Sequence, residues 1–593
     1  MRFIWAVAAF VLAALMIGAG IAQRTIFEGP TTVTRTIEVT GDAPYVLIDG
    51  AVLGSHPGSQ NLRVEQSGEI FAAYGRTADL DAWLAKADYT LVSAKGAGVE
   101  SADVPASDPP AADAAPLSPV GSDLWLAEYH EQGTLQATLQ LPQDMSLLIA
   151  TDGTAAAPKE LTVTWPVHNS TPWAGPLIVG GCLLLVAGLL LYYLGVRHAR
   201  RSRGPRRKGL PLPATEPIDL SVEGADKGVI TAAPTRRQLS SRRRSLIAVP
   251  AFALTAALFT GCSADAWPDI DGDPTPSESP TVIVPEDQGS PVVTKSQAES
   301  IVARAAAAVA DADTKLDAAA AATRLDGSAL AVRETNYRLR AALPDQAAPA
   351  AIPSGALDVV LPEANDQWPR TFLAVAAGEG TDPDLVMSVT QQDPWSAYKI
   401  TRLAQLTSDT TLQLAPEYVG AIPILPDSPF LTIAPDELGA AYADVLTNGE
   451  QSQFAALFDM QDDAFITSTT QNRAERLAKF NATGVQTGAM AFSSEADASP
   501  PVALATLDSG AIVAVTVLDR DTVTPTTPDA VIKLDGDPPN PVVATLTGVT
   551  QSSTGFTTTY ADQLFFFVPS QSSKERIRLL GFSSNILDAK VVG

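Results

Sequence analysis

The sequence predicts a multidomain, membrane-anchored chain. It has two or three transmembrane helices, an all-β, sandwich-like domain between the first two, and tandem α+β modules after the third. Three observations carry this reading. Long uncharged apolar runs occur near residues 3, 176 and 245. Charge is strongly partitioned: residues 24–175 hold 7 basic and 19 acidic residues, 197–244 hold 13 and 4, and 263–593 hold 19 and 43. The pattern of short strands and turns after residue 24 gives way to helix-then-strand order after residue 293. The whole chain has 593 residues and a net charge of −26, which repels a phosphate backbone and excludes a general nucleic-acid binder. With 46% hydrophobic and 18% charged residues it is too apolar to be disordered, although 45 prolines require linkers.

The first apolar run is Phe3–Ile21, nineteen residues without a charge. It spans a hydrocarbon core as a retained anchor, or is a signal peptide cut near Gly20-Ile21-Ala22. The second is Pro176–Val196, with Trp173 at one end and Tyr192-Tyr193 at the other, where amphipathic rings favour the interface. The basic segment after it, starting at Arg197, is cytoplasmic by the positive-inside rule. The N-terminus then lies inside, 24–175 outside, 197–244 inside and 263–593 outside. Arg197–Lys208 also offers anionic headgroups about 1 kcal/mol per charge.

The third run, Ser245–Gly261, follows Arg242-Arg243-Arg244 and ends Leu258-Phe259-Thr260-Gly261-Cys262. Residues 242–263 resemble a bacterial lipoprotein signal. That resemblance implies lipid attachment at Cys262 and cleavage before it, so two mature polypeptides. The plain alternative is a third transmembrane helix. Cys182, in Val179-Gly180-Gly181-Cys182, lacks a basic segment before it and reads as a packing residue in the second helix.

Residues 24–172 read as about eight short strands, hence a β-sandwich. Hairpins are predicted at Asp49-Gly50, at Ser67-Gly68 and at Gln132-Gly133. Asp79 is predicted to cap a short helix, and 97–120 reads as a disordered Ala/Pro/Asp loop. Residues 263–293 are an acidic, Pro-rich linker; its Asp269–Asp273 run misses the EF-hand spacing.

Two modules are predicted beyond it, at 294–425 and 430–593. The first opens with a capping box at Ser296–Glu299, an Ala-rich helix to Leu325 and a second helix at 328–343. Strands follow at 357–361, 371–377, 385–390 and 395–406. The second opens at Pro435, with further helix near 473–480 and strands at 502–507, 511–518, 543–546, 555–560, 564–568 and 576–582. Leu385–Val389 with its following YKITRLAQL echoes Leu564–Val568 with its ERIRLLGFS. Helices before a curved antiparallel sheet resemble cystatin-like and nuclear-transport-factor-2-like modules. The opening RFIWAVAAFVLAALMIGAGIAQRT, the GRTADLDAWL segment and the PRTFLAVAAG segment resemble uncharacterised actinobacterial cell-envelope membrane proteins, which implies export and no set activity.

No P-loop, GxGxxG, HExxH, GxSxG or CxxC occurs, and the four histidines all precede residue 199. The C-terminal two-thirds therefore has no Ser-His-Asp triad or His-ligated zinc of its own. No catalytic, cofactor-binding or metal-binding residue is assigned. The expected function is non-catalytic: display of extracytoplasmic domains that bind or scaffold an envelope protein or cell-wall partner. The alternative is a carboxylate-dependent envelope hydrolase or glycan-processing enzyme, with Asp462-Asp463 or Glu379 as candidate acids. A sugar-transferase reading needs Asp311 and Asp313 to converge on a metal. Trp368 and Trp395 are candidates for stacking on a sugar or peptide, against a core role. His168 is a candidate pH sensor against a plain interfacial residue.

Overall fold

The computed structural model describes residues 2–27, 29–56, 58–96, 98–111, 116–142, 144–167, 172–201, 290–378, 380, 383–407, 412–484, 487–536 and 539–593. Two compact units divide them. The first holds the two long apolar helices. The second holds residues 36–55, 61–163 and 290–593.

Helix α1 (Arg2–Thr25) and helix α4 (Ala174–Arg201) are each long and apolar enough to cross a membrane. They pack against each other, with Phe3 edge-on to Tyr192 at 5.8 Å. Their seam is built on a period of seven. On α1 the buried positions are Ala6, Ala13 and Gly20; on α4 they include Ala174, Gly181, Gly188 and Gly195. Small residues every seventh position let two backbones approach closely, and van der Waals contact then replaces the missing hydrophobic drive. A Cβ on Gly181 would meet Ile17 Cγ1 at 2.6 Å and the Ala13 carbonyl at 3.0 Å. Gly181→Leu is therefore expected to pry the helices apart. Oxidative cross-linking between cysteines placed at Phe3 and Tyr192 should fall several-fold; an unchanged yield would refute the seam. Cys182 is half-buried beside Gly181, as a packing residue should be. The run 245–261, Cys262 and the linker to 289 lie outside the described residues.

The N-terminal sheet runs β1 (Thr32–Glu38), β2 (Tyr45–Ile48), β3 (Gln60–Arg76), β4 (Tyr89–Lys95), β5 (Gly98–Val104), β6 (Ala127–Leu139), β7 (Met145–Ala150) and β8 (Glu160–Pro166). Their order is β1-β8-β3-β7-β2-β4-β5, with β6 also on β3. The expected two-sheet sandwich is thus one eight-stranded sheet. It is mixed, since β2 and β4 run parallel, Tyr45 beside Tyr89. A parallel pair needs a crossover, and helix α3 (Thr77–Leu84) lies in it, burying Leu80, Trp83 and Leu84 on the sheet. Asp49 does not turn a hairpin. Its side chain accepts from Ala51 N and starts the short helix α2 (Gly50–Leu53). No turn forms at Ser67-Gly68 or Gln132-Gly133 either: β3 and β6 run straight through, with Gly68 and Gly133 at positive φ. Part of the predicted disordered loop pairs with β4 as β5.

The C-terminal region opens with α5 (Lys295–Lys315), α6 (Ala318–Ala321) and α7 (Gly327–Ala342). The capping box is Thr294 with Gln297, two residues earlier than the expected Ser296–Glu299. Strands β9 (Leu357–Pro362), β10 (Arg370–Ala376), β11 (Leu385–Gln391) and β12 (Lys399–Leu406) form a meander under these helices, around Ile301, Phe372, Met387 and Ile400. The second half has α8 (Pro435–Asn448) and α9 (Ala464–Thr483), then β13 (Gly488–Ala496), β14 (Val502–Ala505), β15 (Ala511–Pro525) and β16 (Ile532–Lys533). Helix α10 (Pro541–Thr547), β17 (Gln551–Ser552), β18 (Phe556–Val568) and β19 (Arg578–Val591) complete it. Residues 543–546, expected as a strand, are helical. Asn540 caps Val543 N, Pro541 takes the first position and Gly548 closes in the left-handed region.

The two expected modules share one nine-stranded sheet, ordered β13-β15-β18-β19-β12-β11-β10-β9, with β14 on β15. The seam is β12 against β19, Gln405 opposite Phe582, which joins the two segments whose sequences echo. Arg402 of β12 is buried and donates to Thr516, Ser499 and the Pro500 carbonyl in the other half. Burial lowers its pKa to about 10. Strand order reads as two four-stranded meanders meeting back to back. The two segments expected as separate modules are therefore joined in one continuous sheet.

Candidate ligand-binding cleft

One face of β13, β15, β18 and β19 carries the chemistry. Register places Asp519 opposite Tyr560 and Ser494, and Asp521 opposite Thr558 and Phe492. Alternation puts Asp519 and Asp521 on one face and sends Arg520 to the other, where it pairs with Glu495. Helix α9 answers the two acids with Arg473 and Arg476, spaced three apart on one side of the helix. Arg473 pairs with Asp519 and donates to Ser494 Oγ at 2.8 Å; Arg476 pairs with Asp521. Asp463 holds the start of α9 by accepting from Ile466 N at 2.8 Å, and Tyr442 donates to it at 2.9 Å. Burial raises the pKa of Asp463.

A third acid has no such partner. Asp562 on β18 is fully buried and lies opposite Ser584 of β19. Its pKa is pushed up to about 7, mainly by burial and further by the charge of Asp519; Ser584, Arg473 and Arg476 pull the other way. Two arginines face three carboxylates here, so the third stays protonated more readily.

Past Tyr560 the face opens into a cleft of about 790 Å³. Strands β13, β15, β18 and β19 line one side, with α9 and α10 on the second half and α7 reaching in from the first. Its polar lining includes five carboxamides, Asn336, Gln346, Asn472, Asn540 and Asn585. Apolar surface comes from Phe480, Phe556 and Ile586. A further hollow of about 440 Å³ runs beside α7 and shares Asn336, Gln346 and Asn585. Amides donate and accept, and rings present flat apolar faces, so the cleft suits a neutral, hydrogen-bonding ligand. Lys479 also lines it, as do Arg476 and Asp521, which neutralise each other as an ion pair.

The acids named from sequence are elsewhere. Asp311 pairs outward with Lys315, while Asp313 turns inward to Arg333 and Tyr337. The two do not converge. Asp462 is exposed, Asp463 is a helix cap, and Glu379, His168 and Asp269–Asp273 lie outside the described residues. Among the described residues, no group of three His, Cys, Asp or Glu is placed to hold a metal.

Trp368 and Trp395 do not stack on a ligand site: both pack against the core of the N-terminal sheet. The Trp395 indole donates to the Trp83 carbonyl at 2.8 Å, and Lys86 lies 3.5 Å from its ring centre. Around them two buried acids of the N-terminal sheet domain meet arginines of the C-terminal region. Asp79 accepts from Arg76 and, at 2.6 Å, from Arg370, whose guanidinium stacks on Trp368. Asp123 takes Arg304 at 2.7 Å, Arg324 at 2.6 Å and the Tyr398 N–H at 2.7 Å. Asp123 and Arg370 were not singled out from sequence, since their partners lie about 200 or more positions away.

Two helices long and apolar enough to cross a membrane, a mixed sheet clasped to a second, larger sheet, and a polar cleft on the larger one define an α+β protein with two candidate membrane spans. Residues 289–591 match a family described as a domain of unknown function, DUF8094, and the chain belongs to that family. No curated protein and no solved structure matches it.

Proposed function

We propose that this is a non-catalytic cell-envelope protein that binds a partner through the cleft of its C-terminal domain. Charge partition supports a topology with 24–175 and 263–593 outside the membrane and 197–244 in the cytoplasm. The helix pair α1 and α4 would be the anchor, with Cys262 as a lipid attachment point beside it. The observation that carries the binding role is the cleft, with its five carboxamides and its lining of Phe480, Phe556 and Ile586. The occupant that suits it best is an extended segment of an envelope protein, whose backbone amides the carboxamides would pair. A hydrolase would need two free acids facing the ligand. Asp519 and Asp521 are instead each bound to arginine, and Asp562 is buried.

The test is a photo-cross-linking residue at Asn585 of the full-length chain in native membranes, with Glu131 on β6 as the control position. A discrete peptide-bearing adduct from 585 and none from 131 is expected. No adduct, or the same adduct from both, would overturn the proposal; a glycan adduct would redirect it to a cell-wall partner.

A further inference from the structure

The contact between the two sheet domains is chemically incomplete on either side alone. Asp123 is fully buried, and both cations that meet it, Arg304 and Arg324, belong to the C-terminal region. Gln297 adds a hydrogen bond from its amide to the Asp123 carbonyl at 2.8 Å, so main chain as well as side chain is held. Arg370 is equally buried, and its ion partner Asp79 belongs to the N-terminal sheet domain. Trp395 brings its indole N–H to a carbonyl at the end of α3 and its ring to the N-terminal core. Buried charges left without partners cost several kcal/mol each, so complementary burial of this kind gives strong and specific association. Aromatic and arginine anchors at the centre of a packed contact are the residues that dominate interface energies.

From this we infer that the clasp alone holds the two domains together, so that the chain between residues 201 and 290 is not needed for their attachment. The C-terminal domain is then a docking partner for the N-terminal sheet domain even as a separate polypeptide. The proposal is independent of what the cleft binds. It also makes cleavage in that segment, at Cys262 or elsewhere, compatible with one intact assembly.

The experiment uses the full chain with Cys262→Ala, reconstituted in vesicles, and a protease recognition sequence inserted after Ser279. After a cut that is complete on a denaturing gel, vesicles are sedimented and the 280–593 piece is located by a C-terminal tag. It is expected in the pellet with the helix-bearing piece. In Arg370→Asp it is expected in the supernatant, with the released fraction up by about tenfold or more. The exchange Asp79→Arg with Arg370→Asp should restore part of the retention, which a merely misfolded variant would not show. Release of the unmutated piece on cutting would overturn the inference. So would retention of the Arg370→Asp piece, since attachment would then not run through the clasp.

Discussion

Asp123→Ala is expected to destabilise the clasped domains by about 3–5 kcal/mol, the largest single-residue effect in the molecule. The carboxylate is fully buried and serves Arg304, Arg324 and the Tyr398 N–H together. Removing it leaves the mostly buried Arg324 and the partly exposed Arg304 without their counter-charge and the Tyr398 N–H without its acceptor. The attraction forgone is less important than the charge left behind, because a desolvated cation without a partner bears its full burial cost. Denaturant unfolding of the full chain in detergent, followed by tryptophan fluorescence, measures this. Trp83, Trp125 and Trp395 lie at or beside the contact and report on it. The exposed pair Arg63–Glu65 is the comparison, and Glu65→Ala should cost at most about 0.5 kcal/mol. A loss below about 1 kcal/mol in Asp123→Ala would contradict the burial described here.

The second large effect is a pH dependence that runs against the usual one for carboxylates. The folded pKa of Asp562 is raised from 3.8 to about 7. Between those values the folded state holds a proton that the unfolded state has released. Stability contributed by this group is therefore greatest below pH 4 and is lost as pH rises towards and through about 7. A shift of that size corresponds to a few kcal/mol across the window. Asp562→Asn cannot charge. It should match the parent near pH 4, where the folded-state carboxyl is still protonated, exceed it progressively up to about pH 7 and hold that excess to pH 8. A difference between variant and parent that stays flat over that range would show that Asp562 is not the titrating group. Loosening of α9 is the expected structural consequence at high pH, because ionised Asp562 competes with Asp519 and Asp521 for Arg473 and Arg476.

Local signals carried the reading of elements as far as local physics reaches. Helix α8 was legible because Pro435, Asp436 and Glu437 open it, the acids suiting the positive end of the helix dipole, and Gly449 stops it at positive φ. Helix α10 was misread because Val542 and Val543 favour strand, yet Asn540, Pro541 and Gly548 supply both caps and decide the outcome. Asp49 shows the same competition in reverse, as a side-chain cap displaced a hairpin turn. Strand β15 runs seven residues beyond its expected end because Asp519 and Asp521 are neutralised by a helix some forty residues upstream. Nothing near them in sequence signals that help, although the alternation through Val517, Asp519, Asp521 and Val523 was readable as one strand face.

The seven-residue spacing of Ala6, Ala13 and Gly20 was equally visible in the sequence, and repeats in Gly181, Gly188 and Gly195. It passes unnoticed when a membrane helix is judged only by its apolar length. The clasp and the cleft were not legible. Both depend on residues brought together from distant segments, Asp123 with Arg304 and Arg324, and Asn336 with Asn585. Trp368 and Trp395 were correctly weighed towards packing, but the core they enter belongs to the other sheet domain.

A double-mutant cycle on Asp79 and Arg370 tests most directly that the two sheet domains are one clasped body. Both side chains are buried, and they meet at 2.6 Å across the contact. Asp79→Asn, Arg370→Met and the double variant would be unfolded in the full-length chain under identical conditions. The clasp predicts a coupling of about 2 kcal/mol or more between the two sites. Effects that add to within about 0.5 kcal/mol would mean that the residues do not meet, and the single clasped body would have to be given up.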